Sequence, residues 1–160
     1  MEKEFKKLII DSQIHQIRTQ HENNKEFLAF IEDKSKENKV MLKKKNELII
    51  EKRENMRGGK GAIIFEHYFT QKEIQANCRL CAKITVPVGG SIGLHRHDNE
   101  DEVFIILKGQ GICDDGTKKS QFSAGDALLT VSGGSHSIEN TGKEDIEFIA
   151  IVMPYNKSVE

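Results

Sequence analysis

Gly89-Gly90-Ser91-Ile92-Gly93-Leu94-His95-Arg96-His97-Asp98-Asn99-Glu100-Asp101-Glu102-Val103-Phe104-Ile105-Ile106-Leu107-Lys108-Gly109 is the stretch on which the reading of this chain turns. Glycine bounds it at both ends, an apolar run of strand character fills its second half, and two imidazoles stand one residue apart near its middle. In extended backbone alternate side chains share a face, so His95 and His97 project together. Glu102, Phe104 and Ile106 share a face for the same reason. A third imidazole, His136, comes much later, between Gly134-Ser135 and the strand-like Ser137-Ile138-Glu139-Asn140. Neutral imidazoles with a carboxylate suit a divalent first-row metal of borderline softness. Glu100 and Asp101 compete with Glu102 for the role of the acid.

Outward from this stretch, period-two patterning predicts strands over Leu48–Arg53, Ala62–Phe69, Arg79–Val86, Glu102–Lys108, Gly111–Asp114, Lys118–Phe122, Ala127–Val131, His136–Asn140 and Ile146–Met153. Turn signals separate them, among them Arg57-Gly58-Gly59, Pro87-Val88-Gly89-Gly90, Asp115-Gly116 and Gly133-Gly134. Asp-Gly between two strands is a strong hairpin signal. Many short strands with glycine turns predict an all-β barrel or sandwich.

The first part of the chain differs. All 13 glycines lie at or beyond Gly58. Residues 1–60 carry 15 Lys/Arg against 11 Asp/Glu (+4), and residues 61–160 carry 9 against 14 (−5), which gives the net charge of −1. Phe5, Ile9, Ile10, Ile14, Ile17 and His21 recur at helical spacing, and Phe27, Leu28, Phe30 and Ile31 form a second apolar patch. Two highly charged helices are therefore expected, over residues 3–22 and 25–37.

The motifs resemble those of the cupin superfamily. Gly89-x5-His95-x-His97-x4-Glu102-x6-Gly109 is similar to its first signature, and Gly125-x5-Val131-x-Gly133-x2-His136-x3-Asn140 to its second. Val131 stands where the family usually has proline, a turn-stiffening residue and not a ligand. The resemblance implies a double-stranded β-helix, or jelly-roll barrel, over residues 46–160, preceded by a short α-helical, charged N-terminal extension over 1–45. It implies that His95, His97, Glu102 and His136 bind one divalent ion: Fe, Mn, Ni, Co or Zn. It implies a barrel pocket for a small oxygen-rich or carboxylate-bearing molecule. The fold hosts dioxygenases, decarboxylases, isomerases and non-catalytic metabolite binders or sensors, so it does not by itself select a reaction. A homodimer is the family-based expectation, with the extension as an arm crossing to the second subunit.

Other features point elsewhere. Cys78-Arg79-Leu80-Cys81 opens a strand, whereas a redox C-x-x-C needs a helix N-terminus, so packing is expected. An odd count of three cysteines makes no disulfide framework, and no apolar run approaches membrane-spanning length. A cytoplasmic protein without membrane association follows as the expectation. Lys43-Lys44-Lys45 reads as a solvated charged face rather than a nucleic-acid surface. Arg96 should face away from the histidines, His67 is expected to be structural, and Arg79 is a candidate for reaching an anionic ligand. Asn140 is expected to brace a turn, and Phe104, Ile106 and Phe148 to form dry walls.

Overall fold

The computed structural model describes residues 40–155 together with Lys25. Ten strands occupy them: β1 (Ile49–Glu54), β2 (Ala62–Phe69), β3 (Leu80–Val86), β4 (Ser91–Arg96), β5 (Glu100–Lys108), β6 (Gln110–Asp114), β7 (Lys119–Ser123), β8 (Ala127–Thr130), β9 (Ser135–Glu139) and β10 (Ile146–Pro154). Each of the nine strand ranges expected from alternation coincides with one of these to within two residues. The expected helices of the N-terminal extension lie outside the described residues, apart from Lys25, which is helical. The unit Lys43–Glu160 holds all ten strands.

The strands pair antiparallel throughout, in a six-stranded sheet of order β1-β2-β3-β10-β5-β8 and a four-stranded sheet of order β4-β9-β6-β7. The expected jelly roll is present as two antiparallel sheets that do not close into a continuous barrel. Among the described residues no ladder joins the two sheets, so the jelly roll is a sandwich of two separate sheets. The edge strand β8 is four residues long and β7 is almost wholly polar. A crevice of about 430 Å³, lined in part by Cys113, Ser120, Leu128 and His136, opens where they would otherwise meet.

Alternation builds the core. Ile63 and Phe65 of β2, Ala82, Ile84 and Val86 of β3, and Phe148 and Ala150 of β10 point inward from the large sheet and are buried. Ile92 and Ile138 meet them from the small sheet in the same cluster. Phe104 and Phe148 lie with ring centroids 4.3 Å apart, a contact worth about 0.5–1.5 kcal/mol beyond its buried area. Phe104, Ile106 and Phe148 are all buried in this core, and of these expected dry walls Phe104 lines the cavity beside the histidines.

β4 is the strand that alternation did not delimit, and its irregularity is the reason. It pairs with β9 through Ile92↔Ile138 and then His95↔His136, so Gly93 and Leu94 oppose Ser137 alone. The bulge shifts the side-chain parity by one residue. Ile92 can then face the core while His95 and His97, of opposite parity, face it too. Gly93 is fixed at this place by a close approach: a Cβ there would lie 2.0 Å from the Arg57 carbonyl oxygen.

Candidate metal centre

Four side chains from three strands and one turn converge at one end of the sandwich. β4 supplies His95, the residues after it His97, β5 Glu102 and β9 His136. Their Nε2 atoms stand 3.2 Å apart between His95 and His97, 3.3 Å between His97 and His136, and 3.3 Å between His136 and His95. Glu102 Oε2 lies 2.9 Å from His136 Nε2 and 3.1 Å from His97 Nε2. All four donor atoms fall within 4.8 Å of one another. Donors about 2.0–2.2 Å from a shared ion and at right angles to each other would be about 3 Å apart. The cluster could therefore hold a metal ion, and its donor set fits one.

The opposite side of each ring tells which nitrogens carry protons. His95 Nδ1 donates to the Gly93 carbonyl at 2.9 Å, and His97 Nδ1 to Glu100 Oε1 at 2.8 Å. His136 Nδ1 is 2.8 Å from the Thr130 hydroxyl. A carbonyl and a carboxylate can only accept, so in the neutral rings the Nε2 atoms of His95 and His97 present lone pairs inward. His136 has the same arrangement when Thr130 accepts. Outer partners of this kind fix tautomer and ring orientation in metal sites. Glu102 Oε2, close to two such nitrogens, is a buried oxygen without a hydrogen-bond donor among the described residues. Leaving such a group unpaired costs about 1–3 kcal/mol, more for a charge. A cation at the common centre would remove that penalty and screen the facing lone pairs.

Electrostatics around the site follow from these contacts. Burial pushes the His95 imidazole below its ordinary value, against a raising contribution from the Gly93 carbonyl and with His136 and His97 adding to the depression. The Arg79 guanidinium, hydrogen-bonded to Glu100 through Nε and Nη2, holds the Glu100 carboxyl below the usual range. Phe104 stacks on the His136 ring at 5.1 Å and 26°. A cavity of about 60 Å³ lies against His95, His97, Glu100, Glu102 and Phe104, room on the order of a few waters or one small molecule.

Glu100 and Asp101, the competing acids, take other positions. Glu100 lies on the inward parity of β5 with Glu102 and orients His97. Asp101 accepts from the Tyr155 hydroxyl at 2.8 Å and the Ser132 amide at 3.1 Å. Sequence reasoning missed Glu100 as a partner of His97, although its spacing of two from Glu102 was the available signal. It missed Thr130 as well, which register alone reveals, because Thr130 stands opposite Glu102 across β5 and β8. Arg79 does line the cavity, but its guanidinium is committed to Glu100. Arg96 is exposed and pairs with Asp98. His67 bonds Glu51 Oε2 at 3.0 Å and stacks on Phe65. Cys78, Cys81 and Cys113 are free thiols. Lys43 donates to Glu73 at 2.7 Å and sits over the Phe69 ring, so the basic run is partly pinned to the sandwich.

Comparison with known proteins agrees with this architecture. The family profile of the cupin domain matches residues 82–152. A protein of Thermotoga maritima named oxalate-binding protein is 42% identical over 118 residues, covering 74% of this chain and 98% of the relative. The chain belongs to the cupin family. A crystal structure from Thermotoga maritima, described as a predicted oxalate decarboxylase, is 41% identical, covers 71% of this chain and 99% of that one, and superposes with a TM-score of 0.68. A polyketide cyclase of Streptomyces resistomycificus shares the fold at 15% identity, with 74% and 82% coverage and a TM-score of 0.59. No helix among the described residues is long and apolar enough to cross a membrane.

Proposed function

We propose that this chain is a metal-dependent binding protein for a small, oxygen-rich carboxylate, with oxalate as the first candidate. His95, His97, Glu102 and His136 would hold one divalent ion, and the ligand's oxygens would complete its coordination. The observation that carries the reading is the buried Glu102 oxygen, which lacks a donor and faces ring nitrogens whose protons are directed elsewhere. When bound, the ion would supply a Lewis-acid centre for carboxylate oxygens. The residues do the remainder: Phe104 and Ile106 exclude water, Glu100 and Thr130 orient two imidazoles, and the bulge at Gly93 aims the third. The relative named for oxalate binding supports the choice of ligand.

Binding is favoured over catalysis by what lines the cavity. Among the described residues its carboxylates are Glu102, within the donor cluster, and Glu100, held by Arg79 and His97. Neither is free to shuttle a proton. A decarboxylase, dioxygenase or isomerase is the second reading, motivated by the 41% identical neighbour described as a predicted oxalate decarboxylase. Anaerobic purification with elemental analysis should find close to one equivalent of Fe, Mn, Ni, Co or Zn per chain. Calorimetry with sodium oxalate should show binding that chelation abolishes. Absence of metal after reconstitution would defeat the proposal, and release of carbon dioxide or formate from oxalate would move it to the catalytic reading.

For assembly we propose a homodimer through the outer face of the six-stranded sheet. Cross-strand rows there bring Ile151, Val103 and Leu129 together, and Ile149 beside Ile105. Leu129 is 64% exposed and Ile105 44%, an apolar patch of the kind that marks protein contacts. Light scattering should give twice the chain mass, and Leu129→Lys should halve it. The free thiols support a reducing, cytoplasmic setting.

A further inference from the structure

Four arginines line the 60 Å³ cavity: Arg53, Arg57, Arg79 and Arg96. Three are already neutralised. Arg53 forms a two-point pair with Glu51 and lies over the Phe65 ring, Arg79 grips Glu100, and Arg96 bonds Asp98. Arg57 has no carboxylate partner among the described residues. With the histidines neutral, the charges left over around the cavity are Arg57 (+1) and Glu102 (−1). A divalent ion on Glu102 would turn that second site to +1. The loaded cavity would then offer two separate positive charges, which is the complement of a dianion.

The backbone holds Arg57 in place at some expense. Arg57 has φ 55 and ψ 28, and Asn55, two residues earlier, has φ 49. Asparagine adopts left-handed backbone readily, whereas a long side chain such as arginine does so uncommonly, so the strain sits at Arg57. The turn is pressed onto β4, the strand that carries His95. A Cβ at Gly59 would lie 2.1 Å from the Ser91 carbonyl oxygen, and one at Gly93 2.0 Å from that of Arg57. Gly59, Gly93 and the strained turn thus fix Arg57 relative to the histidines. Strain of this kind persists where the surroundings over-determine it, which is common at ligand sites.

We infer that Arg57 receives the second negative charge of a dianionic ligand whose first carboxylate lies at the metal, and so selects dicarboxylates over monocarboxylates. The inference rests on the metal-dependent binding proposed above. Guanidinium is suited to this role because its planar fork matches a carboxylate. The test is calorimetry on the full chain loaded with manganese(II) chloride, with sodium oxalate and sodium acetate as probes. Arg57→Gln should weaken oxalate binding at least tenfold while leaving manganese content and acetate affinity within twofold of the parent. Arg57→Lys should restore part of the loss, and Lys143→Gln, the same charge change at an exposed site, should have little effect. Thermal melts should show that the variants fold. Oxalate binding by Arg57→Gln within twofold of the parent overturns the inference but leaves metal-dependent binding intact. Loss of manganese by Arg57→Gln also overturns it, because the residue would then support the site and not the ligand. A parent chain that takes up no manganese overturns the underlying reading and this one with it.

Discussion

Glu102 and Asn140 are both buried polar residues, 6% and 3% exposed, in a sandwich whose interior is otherwise mainly apolar. Their surroundings are opposite. Asn140 is satisfied on both sides of its amide: Nδ2 donates to the Val86 and Glu144 carbonyls at 2.9 Å, and Oδ1 accepts from the Gly142 amide at 2.9 Å. It closes a loop against β3, as the turn-bracing expectation held. Glu102 has an oxygen that, beside neutral imidazoles, finds no donor among the described residues. A buried polar group with every bond made belongs to the fold, because folding alone accounts for it. One left unmade at a convergence of lone pairs is a deficit that the protein's own groups do not meet and a cation can fill. The difference separates structural from functional polarity within one core.

The sharpest way to break this comparison is Glu102→Gln. The amide removes the charge and gains a donor for the facing Nε2 atoms. Metal affinity should fall at least 100-fold, beyond the roughly 10–100-fold typical of losing an orienting partner. The metal-free variant should melt no lower than the metal-free parent, and higher if the deficit is relieved. A metal-loaded Glu102→Gln chain, by elemental analysis, would end the distinction. Asn140→Ala should behave in the opposite sense. It orphans Val86, Glu144 and Gly142 groups together, so stability should drop by about 2–3 kcal/mol in urea denaturation, while the folded fraction keeps its metal stoichiometry.

Smaller effects refine the contrast. Glu100→Gln keeps the shape but weakens the acceptor of His97 Nδ1 and frees Arg79. Metal affinity should fall about tenfold in a chelator competition, with little change in the melting temperature. The least effect is expected far from the site. Arg53, with burial opposing and His67 assisting, holds the Glu51 carboxyl down at about 2, against its ordinary 4.5. A depressed folded value means that this pair stabilises above about pH 4.5 and loses that contribution as pH falls toward 2. Because the Glu51 side chain is 41% exposed, solvent screening should keep the contribution under about 1 kcal/mol. Glu51→Gln should be less stable than the parent by that amount above about pH 4.5, with the difference shrinking as pH falls toward 2, and a difference persisting unchanged at pH 1.5 in acid-unfolding curves would contradict the assignment.

Legibility in the sequence followed the regularity of the strands. β2 was readable to the residue because Ala62–Phe69 is a run rich in β-branched and aromatic residues bounded by breaks on both sides. β5 was readable because Glu102, Phe104 and Ile106 share parity with buried neighbours. β4 was not, since Gly93 interrupts its pattern and the bulge reverses its parity at mid-length. The four side chains could be named from spacing and resemblance, whereas Glu100 and Thr130 could not be placed beside His97 and His136. Those contacts depend on how separate segments register. The open edge between β7 and β8 was equally hidden, because alternation reports which face is buried and not whether two edges meet.

The sequence by itself determined the strands, the turn positions and the family to which they belong, because periodicity and glycine placement are local properties of the chain. It also named the donor residue types, and hence the class of ion they suit. Tertiary structure decided the distances among those donors, the tautomers that turn their lone pairs inward, and the lack of an ionic or hydrogen-bond partner for Glu102 Oε2 and Arg57 among the described residues. These arise from pairing between segments far apart along the chain, where a one-residue bulge changes which side chains can meet.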